Sequence, residues 1–109
     1  MVELHVREQT KALLNDPLLG EGDMDRKLLR LLESEFLRQL IQYRNVDQRL
    51  SQKYQMNLRE FLERRTTVQH QSNWEVEKDA VDWESAAGNI TALERKLKEI
   101  EELTDAAAQ

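Results

Sequence analysis

An all-α fold is what this sequence predicts: an antiparallel hairpin of two long helices, with a short helix at the bend and a loosely attached N-terminal arm. Three observations carry the prediction. Apolar residues recur at steps of three and four over two long stretches, the signature of one buried helical stripe in each. Only three Gly and one Pro in 109 residues leave little material for the many turns of a β fold. Charge is also segregated. Residues 26–65 hold ten Lys/Arg and five Asp/Glu, a net of +5; residues 66–109 hold four and ten, a net of −6; residues 1–25 hold two and six, a net of −4. A basic helical stretch followed by an acidic one fits two helices folded back on each other, or a surface built to grip another protein.

The chain divides into an arm and connector over residues 1–22, a helical hairpin domain over 23–104 and a disordered tail over 105–109. In the arm, Val2, Val6 and Leu13, with Leu4 and Leu14 beside them, line one side of a short amphipathic segment. Asn15-Asp16-Pro17 stops it, because proline disfavours helical geometry in the residue before it. Leu18-Leu19-Gly20-Glu21-Gly22-Asp23 follows as a connector. So weakly apolar an arm has two readings: a frayed or loosely docked terminus, or a segment that folds on a partner.

The first long helix starts at Asp23 or Asp25, either of which can cap exposed N–H groups. Its stripe is Leu29, Leu32, Phe36, Leu40, Tyr43, Val46, Leu50 and Tyr54. Leu28, Leu31, Leu37 and Ile41 widen it, so its N-terminal half has apolar residues for two neighbours. A break at Gln55-Met56-Asn57 comes next. Asn57 with Glu60 resembles a capping box, and Met56 with Phe61 a hydrophobic staple, so a short helix begins at Leu58. Thr66 to Gln71 has no clear period and reads as a loop or fraying end, since adjacent β-branched threonines weaken a helix.

Ser72 with Glu75 makes a second capping box ahead of the last long helix. Its stripe is Val76, Ala80, Trp83, Ala87, Ile90, Leu93, Leu97 and Ile100. Ala86-Ala87-Gly88 places small residues at mid-helix; glycine there costs ~1 kcal/mol against alanine, which close helix approach offsets or the chain simply tolerates. Two helices alone bury one thin seam, so a second layer is expected, from another copy or a different protein.

Composition restricts function as well. Hydrophobic residues are 39% and charged residues 34% of the chain, values that fit thin helices better than a thick core. No cysteine is present, which removes thiol catalysis, disulfides and Cys-based zinc sites and accords with a reducing cytoplasm. No run of ~18 apolar residues exists to span a membrane. Glu3, His5, Arg7, Glu8 and Lys11 occupy the place of a signal-peptide core. His5 and His70 lack partners at metal-ligand spacing. Glu75, Asp79 and Asp82 share one helix side, but the companion carboxylate runs of a helical Mg²⁺ site are missing, so a solvated face or pairing with the basic helix is the reading. No cofactor and no enzymatic activity are expected.

Partner-binding candidates are Trp74 with Arg59, Arg64 and Arg65 near the bend, and Leu13, Leu14, Leu18 and Leu19 in the arm. Trp83 fits the buried stripe. Trp74, nine residues earlier and 2.5 turns away, points to the other side, to pack under the bend or to meet a partner. Arg38, Arg44, Arg49 and Lys53 extend the basic region, with Tyr43 and Tyr54 interleaved as on RNA-binding surfaces. Both tyrosines fall on the buried stripe, however, and the arginines are expected to face the acidic helix or an acidic partner. Nucleic acid is therefore not the expected ligand, and an RNA-directed toxin is the least favoured alternative.

Leu-Glu-Ser-Glu-Phe-Leu-Arg-Gln-Leu (32–40), Tyr43, Leu50 to Tyr54, Asn57 to Phe61 and Trp74 to Glu84 together resemble a group of small helical prokaryotic proteins associated with toxin–antitoxin gene pairs. The resemblance spans about two-thirds of the chain. It implies an antitoxin-like component that binds and neutralises a partner toxin in the cytoplasm, and it carries no functional residues over. No helix-turn-helix or ribbon-type DNA-binding segment is recognisable, a departure from antitoxins that repress their own operon. The alternative from the residues themselves is a self-assembling helical bundle.

Overall fold

The computed structural model describes residues 5–67 and 74–108, and every element in it is helical. Helix α1 covers Glu8–Leu14, and a 3-10 turn covers Pro17–Leu19. Helix α2 covers Met24–Tyr54, α3 Leu58–Thr67 and α4 Trp74–Ala108. The two long helices pack side by side. Lys53 meets Asp79, Asp47 meets Trp83 and Arg44 meets Glu94, so α4 runs antiparallel to α2. The molecule is a rod of 59 × 31 × 30 Å with a radius of gyration of 20.1 Å. A compact domain of this length would have a radius near ~13 Å.

Local chemistry explains the boundaries. Asp23 caps α2, its Oδ1 accepting from the Arg26 N–H at 2.9 Å. The other end stops at Gln55, a non-glycine residue in the left-handed region at φ 54°. The Met56 N–H then donates to the Ser51 carbonyl at 3.2 Å, the closing bond of a Schellman-type end. Asn57 caps α3, its Oδ1 accepting from the Glu60 N–H at 2.9 Å. Met56 and Phe61 both pack in the bend core, as a hydrophobic staple requires. The cap expected at Ser72 lies outside the described residues.

Several expectations need correction. Thr66 and Thr67 continue α3 as helix, so the weak intrinsic propensity of threonine is overridden there. Residues 105–108, expected within a disordered tail, extend α4, where Ala106, Ala107 and Ala108 are strong helix formers. Gly88 does not mark a close approach: a Cβ built on it would meet nothing within 4 Å, and the small residue that is buried is Ala86. The α2 stripe is uneven as well. Leu40 and Leu50 are buried, whereas Leu32 is exposed.

The arm adds a local clamp. Asp16 takes the extended geometry that a following proline demands, at φ −61° and ψ 134°. Its Oδ1 accepts from the Leu18 N–H at 2.9 Å. The Arg30 guanidinium, on α2, donates to the Leu19 carbonyl at 3.0 Å and the Glu21 carbonyl at 2.8 Å. Leu14 is buried.

Candidate functional site

The main core sits at the bend. Leu50 from α2, Phe61 from α3, and Ala80 and Trp83 from α4 form it, and both Leu50 and Trp83 are 0% exposed. Tyr54, Phe61 and Trp83 make an aromatic trio, with centroids 4.7 Å apart for Tyr54–Phe61 and 5.2 Å for Phe61–Trp83. Such pairs add ~0.5–1.5 kcal/mol beyond area burial. The indole N–H of Trp83 donates to Asp47 at 2.7 Å, so the buried ring keeps its polar handle satisfied.

A polar clamp closes the same end. Asp79 is nearly buried, and its Oδ2 accepts from Lys53 Nζ at 2.6 Å and from the Tyr54 hydroxyl at 2.6 Å. Lys53 also donates to Glu75 at 2.5 Å. Burial by itself would raise the Asp79 carboxyl, but the hydrogen bonds from Lys53 and Tyr54 outweigh it and hold the carboxyl below its ordinary range. Asp79, then Glu75, pull the Lys53 ammonium upward. Burial, with the hydrogen bond to Asp79 next, raises the Tyr54 phenol. Glu75 and Asp79 are thus engaged with the basic helix. Asp82 lies near Lys78 on its own helix, at 4.0 Å.

The other end of the rod differs. Leu13, Leu18, Leu31, Leu32, Leu37, Ile41 and Leu103 are all exposed, Leu18 at 93% and Ile41 at 59%. Between α2 and α4 runs an open groove of about 590 Å³. Leu37, Leu40 and Leu97 form its floor; Glu33 and Arg44 rim it on α2, and Glu94, Lys98 and Glu101 on α4. Arg44 bridges to Glu94 at 3.5 Å across one end of the groove.

The candidate partner-binding residues fall into two groups at opposite ends of α2, which at ~1.5 Å per residue is roughly 45 Å long. Near the bend, Trp74 is 78% exposed and does not pack under it. Arg59 is exposed and pairs with Glu63 on its own helix at 3.4 Å, and Arg64 is exposed. The Arg65 side chain, like His70, lies outside the described residues. In the arm, the structure separates residues that the sequence treated alike: Leu13 and Leu18 face solvent, Leu14 is buried and Leu19 is half-buried. The arginines also divide. Arg44 reaches α4, whereas Arg38 pairs with Glu35 within α2.

The groove is the feature that the sequence reading missed. Its signal was present in Leu37, an apolar residue beside the main stripe, but only the placement of Leu97 opposite it defines a floor. Among the described residues no helix is long and apolar enough to cross a membrane. Comparison with known proteins adds no relative: no family model, no curated protein and no solved structure matches the chain.

Proposed function

We propose that this chain is a non-enzymatic protein-binding module, a helical hairpin that offers the open end of its rod to a partner protein in the cytoplasm. One observation carries the reading: among the described residues, seven large apolar side chains are exposed along the rod away from the bend, against Trp74 and Val81 nearer the bend, where the core is complete. The arm supplies Leu13 and Leu18, and α2 supplies Leu31 and Leu32. Leu18 stands on a turn fixed by the Asp16 cap and the Arg30 clamp, so little conformational freedom is lost when it enters a pocket. Scattered exposed leucines are ordinary, but a concentration at one end is the pattern of an interaction surface. The resemblance to toxin–antitoxin components makes the partner a toxin of similar size, neutralised by occupation of its surface.

Affinity purification from the native cell tests the reading, with Leu18→Asp/Leu32→Asp run in parallel. The native chain should retain one small protein in fixed ratio, and the double variant should lose it while remaining fully helical. Expression of that protein alone should arrest growth, and co-expression of this chain should relieve the arrest. Equal capture by the variant would remove the proposed surface. A captured protein without effect on growth would remove the antitoxin role and leave the binding module.

A further inference from the structure

The α2 side of the groove carries a charge pattern that is complementary to itself in an antiparallel pair. Along α2 the order is Glu33, Leu37, Leu40, Arg44: an acid, two leucines, a base. A second α2 laid antiparallel and centred midway between 33 and 44 sets Glu33 against Arg44 at both ends, with Leu37 against Leu40 between them. Arg44 also reaches Glu94 of its own copy, at 3.5 Å. Every neighbouring pair of helices in the resulting four-helix layer runs antiparallel, the favoured arrangement of an up-and-down bundle.

We infer that a second copy of this chain occupies the groove face, paired about a two-fold axis perpendicular to the long helices. At its centre the face offers the exposed Leu37, with Ile41 one turn on, and the half-buried Leu97, above a buried Leu40. Leu32 stands five residues before the exposed Leu37, about 140° around the helix, and so lies largely off this face. Self-pairing therefore leaves the Leu32 side of α2 open to a different protein, and it supplies the second layer that a two-helix seam lacks.

Sedimentation of the purified chain alone, from about 1 µM to 1 mM, tests the inference. The mass should rise with concentration from 12.9 kDa toward twice that value. Glu33→Arg gives a rim basic at both ends, and Arg44→Glu gives one acidic at both ends. Each variant alone should self-pair at least about tenfold more weakly, because like charges oppose each other. An equimolar mixture of the two should regain the dimer, since every opposed pair is then Arg against Glu. A native chain that stays at 12.9 kDa throughout overturns the inference, as does a dimer that neither variant weakens or a mixture that fails to re-form one. These outcomes concern the isolated chain, so the partner-binding reading stands or falls separately.

Discussion

At the bend, three helices converge and each supplies a different kind of side chain. Helix α2 gives Leu50 and Tyr54, α3 gives Phe61, and α4 gives Trp83 over the small residue Ala80. At the open end only two long helices meet, the arm is clamped to one of them, and leucines remain in solvent. Both ends derive from stripes of similar regularity in the sequence. The difference is in layers: a two-helix seam shields only the residues at its centre, whereas a third helix encloses those beside it. The bend end thus stabilises the hairpin, and the open end leaves apolar side chains uncovered.

The largest effect that would sharpen this contrast is Trp83→Ala. It should lose about 3–5 kcal/mol in denaturant unfolding, while Leu97→Ala, on the half-exposed groove floor, should lose about 1–2 kcal/mol. Equal losses would contradict the contrast. Next comes the clamp. Asp79→Ala leaves the Tyr54 hydroxyl without its acceptor in a part-buried site and should cost about 1–3 kcal/mol at neutral pH. Because the folded carboxyl lies below its ordinary value, its contribution is present above about pH 4 and is lost as the pH falls through the folded value. The raised Lys53 acts in the opposite sense. Its contribution holds below about pH 10 and is lost as the pH rises through its own folded value. The gap between native and Asp79→Ala melting should therefore be flat from about pH 5 to 9 and close in acid.

Smaller changes probe the backbone. Gln55→Gly should gain about 1 kcal/mol, because a left-handed residue with a side chain is strained and glycine is not. Gly88→Ala should gain up to about 1 kcal/mol, since the new methyl enters open space on a helix. A loss at Gly88 would revive the close helix approach that the structure rejects. The smallest effect belongs to the open end. Arg38 holds the Glu35 carboxyl near 2, first through its hydrogen bonds, with Gln39 assisting. Both side chains are in solvent, so Arg38→Ala should leave thermal melting unchanged within error.

Much of this architecture was legible beforehand. The spacing of apolar residues predicts the two long helices, Asp23 or Asp25 and then Asn57 mark two starts, of which Asp23 and Asn57 cap, and the Met56–Phe61 staple places the break. Trp83 falls on the apolar stripe of its helix and is fully buried. Less legible was anything that depends on how deep the seam is at each level. Leu32 and Leu40 occupy the same stripe, yet only Leu40 is covered. Leu13 and Leu14 are neighbours in a seven-residue helix whose docking side the period alone could not select. The groove needed the register between α2 and α4, which no local signal encodes, and the Arg30 clamp joins residues nine and eleven apart through backbone carbonyls, which carry no residue identity.

Hydrogen exchange along the chain, followed at a low and a high protein concentration, tests the contrast between the two ends most directly. At low concentration, amides of residues 46–54 and 76–86 should be protected at least about tenfold more than those of 28–41 and 97–104, reflecting local opening from the free end. At high concentration the open-end amides should gain protection while the bend amides stay as they were. Equal protection of both ends in the dilute chain would contradict the account.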